Sequence, residues 1–444
     1  MNSSPRIQID TLLHCRWIVP IVPAATVLEQ HSIAIHQGRI SAILPTATAR
    51  DTYQADGEFT LDRHALMPGL INTHGHAAMA LLRGIADDQA LHDWLQETIW
   101  PLESRWVSAD FVYHGTQLAI AEMLRGGTTC FADMYFFPDA CARAAMDSHI
   151  RVQLAAPVFD FPSAWGNDAE DYIHKATLLH DQFRHSDLVS TAFGPHAPYT
   201  VADAPLRKIV MLAEELDMPI HMHVHETAQE VNDALSTSGQ RPLQRLAELG
   251  LLSPRLLCVH ATQLLEGEIA DLAAAGVHVV HCPESNMKLA SGSCPVDKLM
   301  KAGINVALGT DGAASNNDLD MFSELRTAAL LAKLVAGDAC ALPAFKALEM
   351  ATLAGARALG LAADIGSLEI GKAADIIAVD LSALNCLPVY QPISQLVYST
   401  QASQVSHVWV GGKLRLQNGQ LQGMAVQAIQ EQVMHWQGKL KSST

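Results

Sequence analysis

Two histidines, His74 and His76, end the apolar run HALMPGLINTHGH with one glycine between them. In an extended chain, residues i and i+2 share a face, so both imidazoles can reach one ion. Gly75 is expected to leave room there for close approach of backbone or ligand. Further on, PIHMHVHE puts His221, His223 and His225 on one strand face, with Glu226 beside them. All three cannot ligate one ion. His223, the middle one, is the expected ligand; His221 is expected deeper, as a hydrogen-bonded core residue, and His225 at the rim. Asp311, in LGTDGAASNN, reads either as a fourth ligand or as the N-cap of a following helix. Three histidines and an aspartate suit zinc with an open position for water, which is hydrolytic chemistry. Iron(II) or manganese would satisfy the same donors.

Something must bring these residues together, and the chain between them alternates. Apolar, β-branched runs recur at LMPGLINTH, TTCFADMY, RVQLAAPV, LVSTAFGPH, PIHMHVHE, RLLCVHA, GVHVVHCP and INVALGTDG. Segments with helical periodicity lie between most of them, such as DFVYHGTQLAIAEMLRGG, PLRKIVMLAEELDM and EGEIADLAAAG. Eight such runs predict an α/β fold, a parallel (β/α)8 TIM barrel, whose chemistry sits at the C-terminal strand ends. Those ends carry His74, His76, Asp133, His196, His223, His260, His281 and Asp311. A doubly wound open sheet is disfavoured because no G-x-G-x-x-G turn follows the first run. Both termini have a different texture. RIQIDTLLHCRWIVP, HSIAIHQGRISAILP (with a turn at Gly38), GSLEIGKAADIIAVDL and SHVWVGGKLRLQNGQL read as strands joined by glycine turns. Residues 1–65 and 365–444 are therefore expected to form one small composite β-sandwich domain, and residues 66–364 the metal-dependent barrel.

Composition removes several classes of function. The 444 residues carry 29 Lys and Arg against 46 Asp and Glu, a net charge of −17. Such a surface repels phosphate backbones, so no nucleic acid is expected. The 8 cysteines are scattered, with no C-x-x-C pair, which fits a reducing cytoplasm. MNSSPRIQID lacks the apolar core of a signal peptide, and no stretch approaches the roughly 20 apolar residues of a membrane helix. A homodimer is expected from fold analogy alone.

PGLINTHGHAAM, HMHVHET, HCPESNMKLASG and LGTDGAASNN resemble the amidohydrolase superfamily, in the branch holding the 5'-methylthioadenosine/S-adenosylhomocysteine deaminases and the triazine chlorohydrolases. The likeness spans nearly the whole chain; GRISAI and GKAADIIAVD resemble the β-sandwich those enzymes carry, and WPLESRW, GPHAPYT and HET resemble the deaminases most. The resemblance implies that His74, His76, His223 and Asp311 bind zinc. Barrels of this kind often bridge two metals with a lysine on the fourth strand; LVSTAFGPHAPYT has none, so one ion per subunit is expected. It further implies that His260 orients the attacking water, Asp311 takes its proton and Glu226 protonates ring nitrogen 1. Glu103 would accept hydrogen bonds from the ribose hydroxyls and His196 would contact the substrate. Plainer roles stand beside these: a solvated helix-start charge for Glu103, a turn histidine for His196, a surface acid for Glu226.

One departure bears on the substrate. Some relatives hold the carboxylate of S-adenosylhomocysteine with arginines after the third strand. Between Arg151 and Lys175 this chain has no Arg or Lys, but offers Phe159, Phe161 and Trp165. An unpartnered carboxylate there would face acids. The expected reaction is therefore conversion of 5'-methylthioadenosine, ahead of S-adenosylhomocysteine or adenosine, to its inosine analogue and ammonia. A triazine hydrolase, a guanine deaminase and a non-catalytic barrel module are the alternatives.

Overall fold

The run LMPGLINTH serves two sheets. Its first residues close the long strand Tyr53–Pro68, and its later ones form the short strand Leu70–Asn72 of a different sheet. Gly69 is the break: a Cβ there would lie 2.0 Å from the Thr129 hydroxyl, so no larger residue fits. The computed structural model describes residues 6–441. The start of MNSSPRIQID and the last three residues of the 365–444 segment lie outside the described residues.

Eight parallel strands follow one another in order: Leu70–Asn72, Thr128–Asp133, Arg151–Val158, Val189–Pro195, Ile220–Val224, Leu256–His260, His278–His281 and Asn305–Leu308. The first and last meet where the Thr73 amide and hydroxyl donate to the Leu308 carbonyl, at 2.9 and 2.5 Å. The result is a nearly closed (β/α)8 barrel. Its interior is filled by small and β-branched side chains, among them Ile71, Ala132, Val259, Val280 and Ala307. The expected helices form around it at Ala109–Arg125, Asp203–Glu215 and Glu266–Ala275. The first starts at Ser108, whose hydroxyl accepts from the Phe111 amide at 3.2 Å.

The terminal strands make a separate mixed sheet. Ile7–Ile18 pairs in parallel with Tyr53–Pro68, which pairs antiparallel with Ile376–Asp380 from the far end of the chain. His31–His36 and Arg39–Pro45 form the hairpin around Gly38, and Val405–Val410 with Lys413–Gln417 form another. GSLEIGKAADIIAVDL differs from expectation: it holds one strand, not two. Its first half is tied down singly, with the Leu368 amide on the Pro20 carbonyl and the Gly371 amide on the Ile40 carbonyl. The final helix, Val426–Lys441, lies on the barrel helix Ala109–Arg125, where Trp436 meets Phe111 edge-on at 5.2 Å. No helix among the described residues is long and apolar enough to cross a membrane.

Candidate active site

The histidine pair stands just past its strand rather than within it, since Leu70–Asn72 ends before Thr73. Asn72 holds this exit in place: its Oδ1 accepts from the Thr310 amide at 3.0 Å and its Nδ2 donates to the Thr310 hydroxyl at 2.7 Å. The Asp311 amide donates to the His74 carbonyl at 3.0 Å, so the loops after the first and eighth strands are joined. The glycine this requires is Gly309, where a Cβ would come within 2.7 Å of the His74 nitrogen. Gly75 is not the tight position: a Cβ there meets only ordinary contacts, at 3.5 Å or more.

Asp311 Oδ1 lies 3.3 Å from His74 Nε2 and 3.2 Å from His76 Nε2, and His223 Nε2 is 3.2 Å from His74 Nε2. The opposite ring nitrogens are all engaged. His76 Nδ1 donates to the Met134 carbonyl at 2.6 Å and His223 Nδ1 to the His196 carbonyl at 2.7 Å. Carbonyls only accept, so those protons sit on Nδ1 and leave the Nε2 lone pairs facing a shared point. His74 Nδ1 is bonded to His221 Nε2 at 2.9 Å, which gives His221 its buried, supporting place. Asp311 Oδ2 accepts from Ser285 at 2.6 Å and Ser315 at 2.8 Å, so it acts as more than a helix cap.

Burial and mutual contact shift the acidity of each of these groups. Burial pushes His74 down to about 4 and His223 well below the ordinary imidazole range, as neutral ligands require. Burial alone would lower His76 too, but its pairing with Asp311 carries it up to about 9. Burial pushes Asp311 the other way, yet its bonds to His74 and His76 hold it well below the carboxylate range. With Nδ1 held by the Met134 carbonyl, the proton that His76 keeps lies on Nε2 against Asp311, and a divalent ion bound there would displace it. The donor set fits a divalent ion in a His/Asp site.

His260 Nδ1 is bonded to Asn286 Oδ1 at 2.8 Å, which leaves Nε2 as an acceptor facing the same space, 3.7 Å from Glu226 Oε2. Glu226 is buried, and that burial, opposed by the nearby His260, raises its pKa. It follows the strand Ile220–Val224 on a turn fixed by Glu230, whose carboxylate accepts from the His225 amide at 3.0 Å and the Glu226 amide at 2.8 Å. His225 has φ 54° on this turn, so strand alternation fails. It is not a rim residue: it is fully buried, and its Nε2 accepts from the Leu243 amide at 3.2 Å.

These groups form the floor of a cleft whose walls include Trp94, Trp100 and Glu103 from the helical segment after the first strand. Glu103 is no solvated surface charge. It is half-buried, faces the cleft, accepts from the Tyr135 hydroxyl at 2.6 Å and is pushed up to about 7 by burial. His196 lines the cleft against Phe159, with ring centroids 4.9 Å apart. Phe159 continues to Phe161 at 4.9 Å, and Phe161 to Trp100 at 6.2 Å. Trp165 does not belong to this wall. The loop reverses where the Ser163 amide meets the Gly166 carbonyl, and Trp165 packs on Tyr172 of the next helix instead. Asp133 and His281 also lie outside the cleft; Asp133 accepts from the Ala77 amide at 2.6 Å behind His76. No Lys or Arg among the described residues lines the cleft. Arg151 is paired with Asp375 at 2.7 Å, and Lys175 bonds the Trp165 carbonyl and Asp171.

Sequence reasoning missed Tyr135, Ser285, Asn286 and Ser315. The last three sit inside the motifs SNMKLASG and GTDGAASNN or beside them, which was the available signal. His221 offers a direct test of the supporting bonds. His221→Phe keeps the bulk but removes the partner of His74. Divalent-ion affinity, measured by competition with a chelator, is expected to fall about 10- to 100-fold. Unchanged affinity would mean that His74 needs no orienting partner.

Residues 65–415 match the family model described as the amidohydrolase family. A 5-methylthioadenosine/S-adenosylhomocysteine deaminase of Saccharophagus degradans is 51% identical over 441 residues, covering 99% of this chain and 98% of that protein. One of the same description from Teredinibacter turnerae is 50% identical over 432 residues, 97% of this chain and 98% of its own length. A crystal structure of an adenosine deaminase from Xanthomonas campestris with bound zinc superposes with a TM-score of 0.97 at 51% identity, covering 99% of this chain and all of that one.

Proposed function

The chain belongs to the amidohydrolase family, and we propose that it is a zinc-dependent deaminase acting on carbon 6 of 5'-methylthioadenosine. S-Adenosylhomocysteine and adenosine are poorer substrates on this reading. The observation that carries it is the placing of a buried, pKa-raised carboxyl, Glu226, beside the His/Asp cluster, in a cleft with an acid at its sugar end and, among the described residues, no Lys or Arg. His74, His76, His223 and Asp311 would hold one zinc ion per subunit. When bound, zinc supplies a water of near-neutral pKa and a positive charge at the reacting centre.

The residues of the chain do the rest. Asp311 accepts the proton of the attacking water while His260, held by Asn286, aligns it with carbon 6. Glu226 donates a proton to ring nitrogen 1, so charge does not build up on the ring as water adds. The proton held by Asp311 then passes to the 6-amino group, which leaves as ammonia, while the new 6-hydroxyl returns its proton to Glu226, giving the 6-oxo product with ring nitrogen 1 protonated. Glu103 accepts from the ribose hydroxyls, His196 contacts the substrate, and the Phe159–Phe161–Trp100 wall takes the 5' tail.

Tail chemistry gives the test. The homocysteine carboxylate would meet no Lys or Arg in the cleft, and losing a charge-assisted bond costs about 1.5–3 kcal/mol. With zinc-loaded protein, kcat/KM is expected to favour 5'-methylthioadenosine over S-adenosylhomocysteine by about 10- to 100-fold. Equal values would mean that another group meets the carboxylate. Turnover of triazines or guanine in place of adenine nucleosides would move the chain to those hydrolases.

Three wider features belong to the same proposal. Residues 66–364 would be the catalytic unit, with residues 1–65 and 365–444 as the composite β domain. All 8 cysteines are free thiols, which supports a reducing cytoplasm. A homodimer rests on fold analogy.

A further inference from the structure

We propose that Tyr135 is a positioning residue for sugar recognition: its hydroxyl pins one carboxylate oxygen of Glu103 and leaves the other to take the 2' and 3' hydroxyls of the nucleoside. The proposal rests on the deaminase reading above, in which Glu103 binds ribose.

Tyr135 and Glu103 are 32 residues apart and come from different elements. Glu103 belongs to the helix Trp100–Trp106 over the cleft, and Tyr135 follows the second barrel strand. The phenol donates to Glu103 Oε1 at 2.6 Å. Glu103 Oε2 accepts no hydrogen bond among the described residues and is not sealed in the interior, so it is open to the cleft that Glu103 lines. Tyr135 is itself held firmly, being 5% exposed with its ring against Phe136 at 5.4 Å.

Its backbone neighbour gives the contact more weight. The Met134 carbonyl fixes His76 Nδ1 at 2.6 Å, and the Met134 amide donates to the Gly75 carbonyl at 3.0 Å. Residues 134 and 135 therefore tie the metal-facing histidine pair on one side and the sugar-facing acid on the other. The spacing between the reacting carbon and the ribose anchor is set through this dipeptide. A bond from the phenol also favours the ionised carboxylate against the burial that raises it. An ionised Glu103 accepts from hydroxyls, whereas a protonated one competes with them as a donor.

The test compares the wild type and Tyr135→Phe on adenosine and on 2',3'-dideoxyadenosine. For adenosine, KM is expected to rise about 10-fold with kcat unchanged, as for loss of one bond to a charged group. For the dideoxy substrate, which presents no diol, both constants are expected to match the wild type. Equal losses on the two substrates would show that Tyr135 acts through packing and overturn the proposal. So would an unchanged adenosine KM. Tyr135→His keeps a ring and an N–H donor and is expected to show a smaller rise confined to adenosine. If the phenylalanine variant does not fold, this second variant decides the matter by the same comparison. Failure of the underlying reading is seen separately, as absence of wild-type turnover on every adenine nucleoside.

Discussion

Replacing Glu226 with glutamine is expected to lower kcat for 5'-methylthioadenosine by about 10²- to 10⁴-fold, the usual share of a general acid. KM and bound zinc are expected to stay near wild-type values. Glutamine keeps the size of the side chain and its place on the turn that Glu230 caps, but cannot hand a proton to ring nitrogen 1. The pH profile adds a signature. Burial raises the Glu226 pKa, so the acid form persists above the ordinary glutamate range and is lost as pH rises through the raised value. That alkaline loss should be absent from the glutamine variant's residual activity. A fall below tenfold would remove Glu226 from proton transfer and return it to a packing role.

Asp311→Asn is the second large effect, and it should differ in kind. The asparagine can still meet Ser285 and Ser315, yet the negative charge 3.2 Å from His76 Nε2 is gone. The variant loses the proton acceptor for the attacking water and one anionic donor of the metal site together. A fall in kcat on the order of 10³-fold or more is expected, with metal content reduced in the same preparation by elemental analysis. Full activity with full metal content would show that Asp311 serves neither purpose. Together the two variants separate proton donation, which spares the metal, from water activation, which does not.

Which of these residues could be read from the sequence follows from where their partners lie. His74, His76, His223 and Asp311 close apolar runs, so the periodicity that announces a barrel also announces its rim. The helices at Ala109–Arg125 and Glu266–Ala275 were legible for the same local reason. His225 was misplaced because alternation was carried one residue past the strand, onto a left-handed turn. Trp165 was misplaced because its nearness to Phe159 and Phe161 in sequence hides the chain reversal at Ser163–Gly166. Tyr135 was invisible: its partner Glu103 is on another element, and a tyrosine after a strand is ordinary. The Asn72–Thr310 bonds that join the first and eighth loops span 238 residues, and no local pattern marks them. Gly69 and Gly309 show a subtler limit, since the close contacts that require glycine there come from distant segments.

The most direct measurement is ammonia released from 5'-methylthioadenosine by protein stripped of metal and then reloaded with one equivalent of zinc. We expect no release from the stripped protein. After reloading, ammonia should appear in step with the loss of adenine absorbance, and further zinc should add nothing. Full release by the stripped protein, or none from any adenine nucleoside after reloading, would contradict deamination at this His/Asp centre.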